Sequence, residues 1–138
     1  MIYNFRGRLD EKNRLTLPPL VRGEFADGNC VITPGFNQTL HLYPKKVWGE
    51  VEKALKVNPK EGDKTPTVLN QELAETADYF YSQLQEVTID AKRGRVTLDQ
   101  ELAELSGLDK EKDWKAVRIP SDTGSYWRIR KLSAKPKL

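Results

Sequence analysis

The sequence holds very little of what disulfide, metal or covalent chemistry requires. It has one cysteine, Cys30, and one histidine, His41, in 138 residues. A single cysteine excludes a disulfide within the chain and favours a reducing compartment. A lone histidine between Leu40 and Leu42 offers no partner for a catalytic serine, cysteine or lysine. We therefore expect no enzyme activity and no cofactor or metal, with Cys30 buried and His41 an ordinary strand residue.

Long hydrophobic runs are also missing, since no apolar stretch approaches the roughly 20 residues of a membrane span. The N-terminus lacks the apolar segment of a signal peptide, which predicts a cytoplasmic protein with no membrane partner. Gly35 and Gly94 are isolated, so neither forms a phosphate cradle, and no small-molecule substrate is indicated. Net charge is only +3, from 23 basic and 20 acidic residues, so the placement of charge matters more than its sum.

Hydrophobic periodicity and turn residues divide the chain into two similar halves. Short strands, a short helix and a strand pair are predicted in each half, with longer helices after Pro44 and Thr67. We predict an α+β protein with a first half over residues 1–57 and a linker over 58–66. A helix plus the second half follows over 67–130, and a disordered basic tail over 131–138.

An internal repeat is the most informative feature. Arg14-Leu15-Thr16-Leu17-Pro18 corresponds to Arg95-Val96-Thr97-Leu98-Asp99, and each segment follows a polar, basic turn. Two such β-turn-β-helix units bury their apolar faces only by packing around each other. A pseudo-two-fold pairing would place both basic turns on the same side of the molecule.

The two basic turns are the best candidate for a function. A single exposed Lys-Asn-Arg turn is usually a solvated loop. Two basic turns at corresponding points of a repeat bring positive charges together, and their mutual repulsion is unfavourable. A purely structural protein has no reason to concentrate arginine in this way. Arginine suits bidentate contact with guanine in the major groove and contact with phosphate oxygens. The pattern predicts a double-stranded DNA-binding surface.

The residues that surround the first turn resemble a known family. Asp10-Glu11-Lys12-Asn13-Arg14-Leu15-Thr16-Leu17-Pro18, followed by Cys30 to Phe36 and by Leu40-His41-Leu42-Tyr43-Pro44, is similar to the MraZ family of bacterial regulators. These proteins carry two tandem SpoVT-AbrB units. The resemblance extends from about residue 3 to residue 130. It implies a swapped-hairpin AbrB-type β-barrel built from two pseudo-symmetric βαββ halves with flanking helices, and a homo-oligomeric ring.

The resemblance also implies a role for individual residues. In the Asp-x-x-x-Arg turn, Arg14 would contact bases, Lys12 would contact phosphates and Asp10 would brace the turn. In the second half Asp90 stands five residues before Arg95 instead of four, so we expect Ala91 at the position equivalent to Asp10. The complete set of predicted DNA contacts is Arg8, Lys12, Asn13, Arg14, Lys92, Arg93 and Arg95, with Asp10 and Asp90 as turn-bracing residues.

Two functions from different classes follow. The favoured hypothesis is a sequence-specific, nucleoid-associated DNA-binding regulator, most simply a repressor, that binds direct repeats upstream of the division and cell-wall gene cluster. The alternative is a protein–protein module, antitoxin-like or a ring scaffold, that has lost specific DNA binding. The altered second turn motivates the alternative.

Overall fold

The computed structural model describes residues 1–55, 67–108 and 113–132, with side chains of the third helix described from residue 71 onward. The predicted linker 58–66 lies outside these residues, as does the tail from residue 133. The strands are β1 (Asn4–Arg8), β2 (Arg14–Thr16), β3 (Asn29–Gly35), β4 (Thr39–Tyr43), β5 (Gln85–Thr88), β6 (Arg95–Thr97), β7 (Asp113–Ser121) and β8 (Gly124–Lys131). The helices are α1 (Pro19–Arg22), α2 (Lys45–Leu55), α3 (Thr67–Ser82) and α4 (Gln100–Leu105). The chain is therefore an α+β protein, as predicted.

All strand pairs in the described residues are antiparallel, and they form two sheets. The larger sheet has the order β1-β7-β8-β4-β3-β5, and the smaller one is a ribbon of β2 and β6. Both sheets contain strands from both halves: in the larger sheet the hairpins β3–β4 and β7–β8 lie side by side, and each has on its outer side the edge strand of the other half. β1 pairs with β7 as β5 pairs with β3, while β4 pairs with β8 and β2 with β6.

The predicted closed barrel is not formed by the described residues. β1 and β5 lie at the two edges of an open six-stranded sheet, and the ribbon stands apart from it. The reason is the length of the ribbon strands, which have three residues each. Backbone hydrogen bonds join β1 to β2 only at the turn, from Asp10 N to Arg14 O, and join β5 to β6 from Asp90 N to Arg95 O.

Local chemistry explains where several elements begin and end. Pro18 and Pro19 stop β2 and open α1, because proline has no N–H for a ladder and suits a first helical turn. β3 continues through Pro34 and Gly35, and both pair with β4. The connection between the two strands is therefore short, with Asn37 and Gln38 at positive φ. β8 includes Lys131, which we had assigned to the tail.

The core lies between the six-stranded sheet, the ribbon and the two short helices. Leu15, Leu17, Val96 and Leu102 are fully buried there, with Cys30 also at 0% exposure. A second apolar cluster joins Val31 and Tyr43 of the sheet to Val47 and Trp48 of α2. None of the described helices is long and apolar enough to cross a membrane.

Candidate nucleic-acid interface

The first basic turn is organised around the carboxylate of Asp10. Its Oδ1 accepts hydrogen bonds from the backbone N–H groups of Lys12 and Arg14, both at 2.9 Å. Its Oδ2 accepts one from Nε of Arg14 at 2.6 Å. Burial opposes the charged form of Asp10, but these hydrogen bonds and the Arg14 charge hold its pKa below the ordinary value. Asn13 completes the turn in the left-handed region, with φ of 58°.

The second basic turn uses the same device with one more residue. Asp90 Oδ1 accepts a hydrogen bond from the backbone N–H of Lys92 at 3.0 Å, and Oδ2 accepts from Nε and Nη2 of Arg95, both at 3.3 Å. The backbone hydrogen bond from Lys92 and the charge of Arg95 lower the pKa of Asp90. The expectation that Ala91 takes the position of Asp10 was therefore wrong. Asp90 takes it, and the added residue lies between Asp90 and Gly94, which holds the left-handed position that Asn13 holds in the first turn, with φ of 67°.

The ribbon holds the two turns against each other. Arg14 pairs with Thr97 and Thr16 with Arg95 across β2 and β6. The backbone N–H of Leu17 donates to the carbonyl of Gly94, and that of Leu98 donates to the carbonyl of Asn13, both at 2.8 Å. Each turn is thus fixed by the strand end of the other half.

The predicted DNA contacts differ in how free their side chains are. Lys12, Lys92 and Arg93 are exposed. The side chains of Arg14 and Arg95 are only 24% and 25% exposed, because each forms an ion pair with the carboxylate of its own turn. Among the described residues, the guanidinium of Arg14 donates a hydrogen bond only from Nε, whereas that of Arg95 donates from both Nε and Nη2.

Two further predicted contacts are tied to neighbours. The side-chain amide of Asn13 donates to Oε1 of Gln100 at 2.9 Å, which joins the first turn to α4. Arg8 lies on β1 and bonds Asp113 through Nε and Nη2, both at 2.9 Å. This ion pair is exposed, with side-chain exposures of 59% and 55%, so it competes only weakly with a phosphate.

Arg22 belongs to the same surface, and sequence reasoning missed it. Its Nε donates to the carbonyl of Leu17 at 2.9 Å, and its side chain lies directly against Gly94 of the second turn. Its place in the helix after the first turn was the only available signal. Proximity to the second turn depends on the pairing of the halves, which no local pattern reveals.

Chemistry other than binding has little support in this arrangement. Within the described ranges, no three His, Cys, Asp or Glu side chains converge on a possible metal position. His41 is nearly buried, and its Nδ1 lies 2.8 Å from the hydroxyl of Tyr43. Burial, together with the charge of Arg128, lowers the pKa of His41 to about 4, so the ring is neutral at pH 7.

Comparison with known proteins gives a consistent result. Residues 5–70 match the family described as "MraZ protein, putative antitoxin-like". A protein of Clostridium acetobutylicum named "Transcriptional regulator MraZ" is 33% identical over 110 residues, which are 80% of this chain and 70% of that protein. Proteins of the same name from Desulforamulus reducens and Treponema denticola are 32% and 30% identical. They cover 78% and 80% of this chain, and 68% and 72% of their own lengths.

These relatives are regulators of transcription and not enzymes. The matched segment contains the first basic turn, both strands of the hairpin after it and the second helix. The chain belongs to the MraZ family of transcriptional regulators.

Proposed function

We propose that the protein binds specific DNA sequences through its two basic turns and represses transcription from the promoter it occupies. The observation that carries the proposal is the mutual fixing of the turns by the β2–β6 ribbon. Arg14 and Arg95 lie on neighbouring strands, each held by a carboxylate, beside the exposed Lys12, Lys92 and Arg93. Side chains fixed before binding lose less freedom on contact with DNA.

The two turns differ in what they offer to DNA. No acceptor in the described part of the chain engages the terminal Nη groups of Arg14, so both can make the bidentate contact that guanine accepts in the major groove. Arg95 donates one Nη to Asp90, which leaves it less free for a bidentate base contact. We therefore assign Arg95 and its neighbours Lys92 and Arg93 mainly to phosphate contacts. The first turn is then the base-reading part of the site, and Lys12 and Arg8 contact the flanking phosphates.

One chain presents a small surface, whereas specific protein–DNA modules bury roughly 600–1,000 Å² each. We infer that the protein forms a homo-oligomeric ring whose subunits contact successive direct repeats. In this proposal the repeats lie upstream of the division and cell-wall gene cluster, and the protein acts in the cytoplasm at the nucleoid. The pairing of each edge strand with the other half, β1 with β7 and β5 with β3, supports the swapped-hairpin relationship between the tandem units.

The test is binding to the protein's own upstream region and to a scrambled duplex, by gel shift and anisotropy, at two salt concentrations. Replacement of Arg14 by alanine removes discrimination worth about 1–3 kcal/mol between the two duplexes. Replacement of Lys12 by alanine weakens binding to both equally and lowers the salt slope by about one. Lys53→Ala on α2 is the control for loss of one exposed cation. Equal binding of both duplexes by the wild-type protein would overturn the proposal.

The second candidate is an antitoxin-like protein–protein module. The description of the matching family as antitoxin-like and the longer second turn favour it. Co-purification of a stoichiometric protein partner, with no retardation of the upstream DNA, would support this candidate over the first. Light scattering of the free protein tests the ring, since a monomer that binds DNA specifically would contradict it.

A further inference from the structure

A row of cations crosses the outer face of the six-stranded sheet, away from the two turns in sequence. Arg6 of β1 stands opposite Lys115 of β7, and Lys115 stands opposite Arg130 of β8. Residues directly opposite in antiparallel strands share a face, so the three side chains form one line, here called the cationic row. Arg6 and Arg130 are exposed and Lys115 is half-buried. Arg128, also exposed, lies two residues from Arg130 on the same face.

This arrangement is unfavourable in the isolated protein. Like charges directly opposite on neighbouring strands destabilise a sheet. The carboxylate nearest in register is that of Asp113, and it is bound by Arg8 at 2.9 Å. Of the carboxylates in residues 1–55, 71–108 and 113–132, none lies within ion-pair distance of the row. The row therefore concentrates positive charge, and a bound anion would reduce the repulsion between its side chains.

The other half of the molecule shows what covers an equivalent face. The pairs Arg6–Lys115 and Lys115–Arg130 correspond to Glu86–Val31 and Val31–Tyr43 in the repeat. There Val31 and Tyr43 are buried against Val47 and Trp48 of α2. In the described part of the chain no helix covers the cationic row. On this face of the sheet, one half is thus covered by the apolar side of α2, whereas the other half is uncovered by the described helices and positively charged.

We propose that the cationic row binds the phosphate backbone of duplex DNA beyond the segment read by the turns. The proposal rests on the DNA-binding function proposed above. Arg6 is four residues before Asp10 on the strand that enters the first turn, a separation of about 13 Å at roughly 3.3 Å per residue. That is about four base pairs at 3.4 Å each. The row itself spans three strands, about 10 Å, and contacts no bases, so it adds affinity without sequence preference.

The row continues toward a shallow cleft that widens the positive surface. The cleft has a volume of about 370 Å³ and is lined by Arg128, Arg130, His41, Thr39 and residues 36–37. His41 is neutral, so the two arginines set the sign of the potential there. An extended polyanion fits this continuous surface better than a single small anion does.

The test compares two triple variants that remove the same charge. One is Arg6→Gln/Lys115→Gln/Arg130→Gln, and the control is Lys45→Gln/Lys46→Gln/Lys53→Gln on α2, where all three lysines are exposed. Binding to a long duplex that contains the upstream region is measured over a range of salt. The row variant is expected to lower the slope of log K against log salt by about 2 to 3, at about 0.9 per phosphate. Its preference for the upstream sequence over a scrambled duplex is expected to stay, and the control slope is expected not to change.

Other outcomes separate this proposal from the one on which it rests. An unchanged slope in the row variant, or an equal loss in the control, would overturn the role of the row while Arg14→Ala still decides the function of the turns. A labelled polyglutamate of 20 residues is tested as a second ligand. If it binds the wild type but not the row variant, and the two proteins have the same salt slope on DNA, the row is a site for an acidic protein and the proposal fails. Urea unfolding confirms that the row variant is folded, and removal of opposed like charges is expected to keep or raise its stability.

Discussion

At the scale of single residues, the two left-handed positions Asn13 and Gly94 shape the basic turns. Asparagine tolerates this conformation better than most residues, and the structure gives Asn13 φ of 58°. The equivalence of Gly94 to Asn13 was not predicted, because it depends on where the longer second turn takes up its extra residue. Counting back from Arg95 pointed to Ala91, whereas the hydrogen bonds select Asp90. Such hydrogen bonds, and not the composition of the turn, decide which of two adjacent residues takes a given position in it.

Replacement of Gly94 by alanine is expected to destabilise the protein more than the same change at Gly28. Both glycines have positive φ, 67° and 66°, so each variant bears a strain of about 1 kcal/mol. A methyl group at Gly94 also collides with the side chain of Arg22, while one at Gly28 meets nothing within 4 Å. Urea unfolding measures both costs. Equal losses of stability in the two variants would show that the Arg22 side chain moves away from the added methyl group at no cost and does not support the turn.

His41 is expected to make the free energy of unfolding depend on pH between about 6.5 and 4. Its folded pKa is about 4, below the ordinary 6.5, because burial and Arg128 disfavour the charged ring. The unfolded chain therefore takes up a proton as pH falls below 6.5, while the folded protein does not until about pH 4. The free energy of unfolding should fall over this window by on the order of 3 kcal/mol. Urea titrations from pH 7 to pH 4 on the wild type and His41→Gln test this, and parallel curves would contradict it.

At the scale of elements, the β2–β6 ribbon is the part that joins the halves at the candidate site. The sequence predicted short strands with a central threonine at Leu15–Leu17 and Val96–Leu98, and the structure places them one residue earlier, at Arg14–Thr16 and Arg95–Thr97. Their mutual pairing was not predictable from local pattern, because a long-range contact depends on the energy of the whole fold. The same holds for β1 with β7 and β5 with β3, which only the symmetry of the repeat could have suggested.

Replacement of Leu15 by alanine is expected to cost about 2–5 kcal/mol, because Leu15 is fully buried in the middle of the ribbon. Leu20→Ala on α1 is the matched control, since Leu20 is 70% exposed and should change stability by less than about 0.5 kcal/mol. Hydrogen exchange of the Leu17 and Leu98 amides gives a second readout. Both amides should lose protection together, and loss at only one would contradict coupling of the turns through the ribbon.

At the scale of the whole molecule, the repeat and the α+β class followed from the sequence, but the closure of the strands did not. The resemblance implied a barrel, and the described strands leave two open edges because the ribbon strands are too short to bridge them. The cationic row was missed for a related reason. Arg6, Lys115 and Arg130 are far apart in the chain, and only the order of strands in the sheet brings them into one line.

The N-terminal segment is secured to the second half by Arg118. Its guanidinium holds Glu24 at 2.6 and 2.7 Å, donates from Nε to the carbonyl of Ile2 at 2.8 Å and lies 4.6 Å from the ring centre of Trp127. Side-chain exposures are 12% for Arg118 and 25% for Glu24. Glu24→Ala should cost about 2–3 kcal/mol by leaving a mostly buried cation unpaired.

The exposed Arg8–Asp113 pair is the comparison for that ion pair. Asp113→Ala should change the free energy of unfolding by less than about 1 kcal/mol, because both side chains are more than half exposed. Thermal or urea unfolding of the two variants gives the difference. Similar costs would mean that burial adds nothing to the Arg118 contact.

The extra residue in the second turn gives the molecule a direction. With two identical turns related by a two-fold axis, one chain would sit on DNA equally well in either orientation and would match an inverted repeat. Here a four-residue interval separates Asp10 from Arg14 and a five-residue interval separates Asp90 from Arg95, so the two ends are not interchangeable. In the proposed complex, a chain with unequal ends has a polarity along the duplex. In the proposed ring, copies arranged head to tail all point the same way, which requires sites that repeat in one direction.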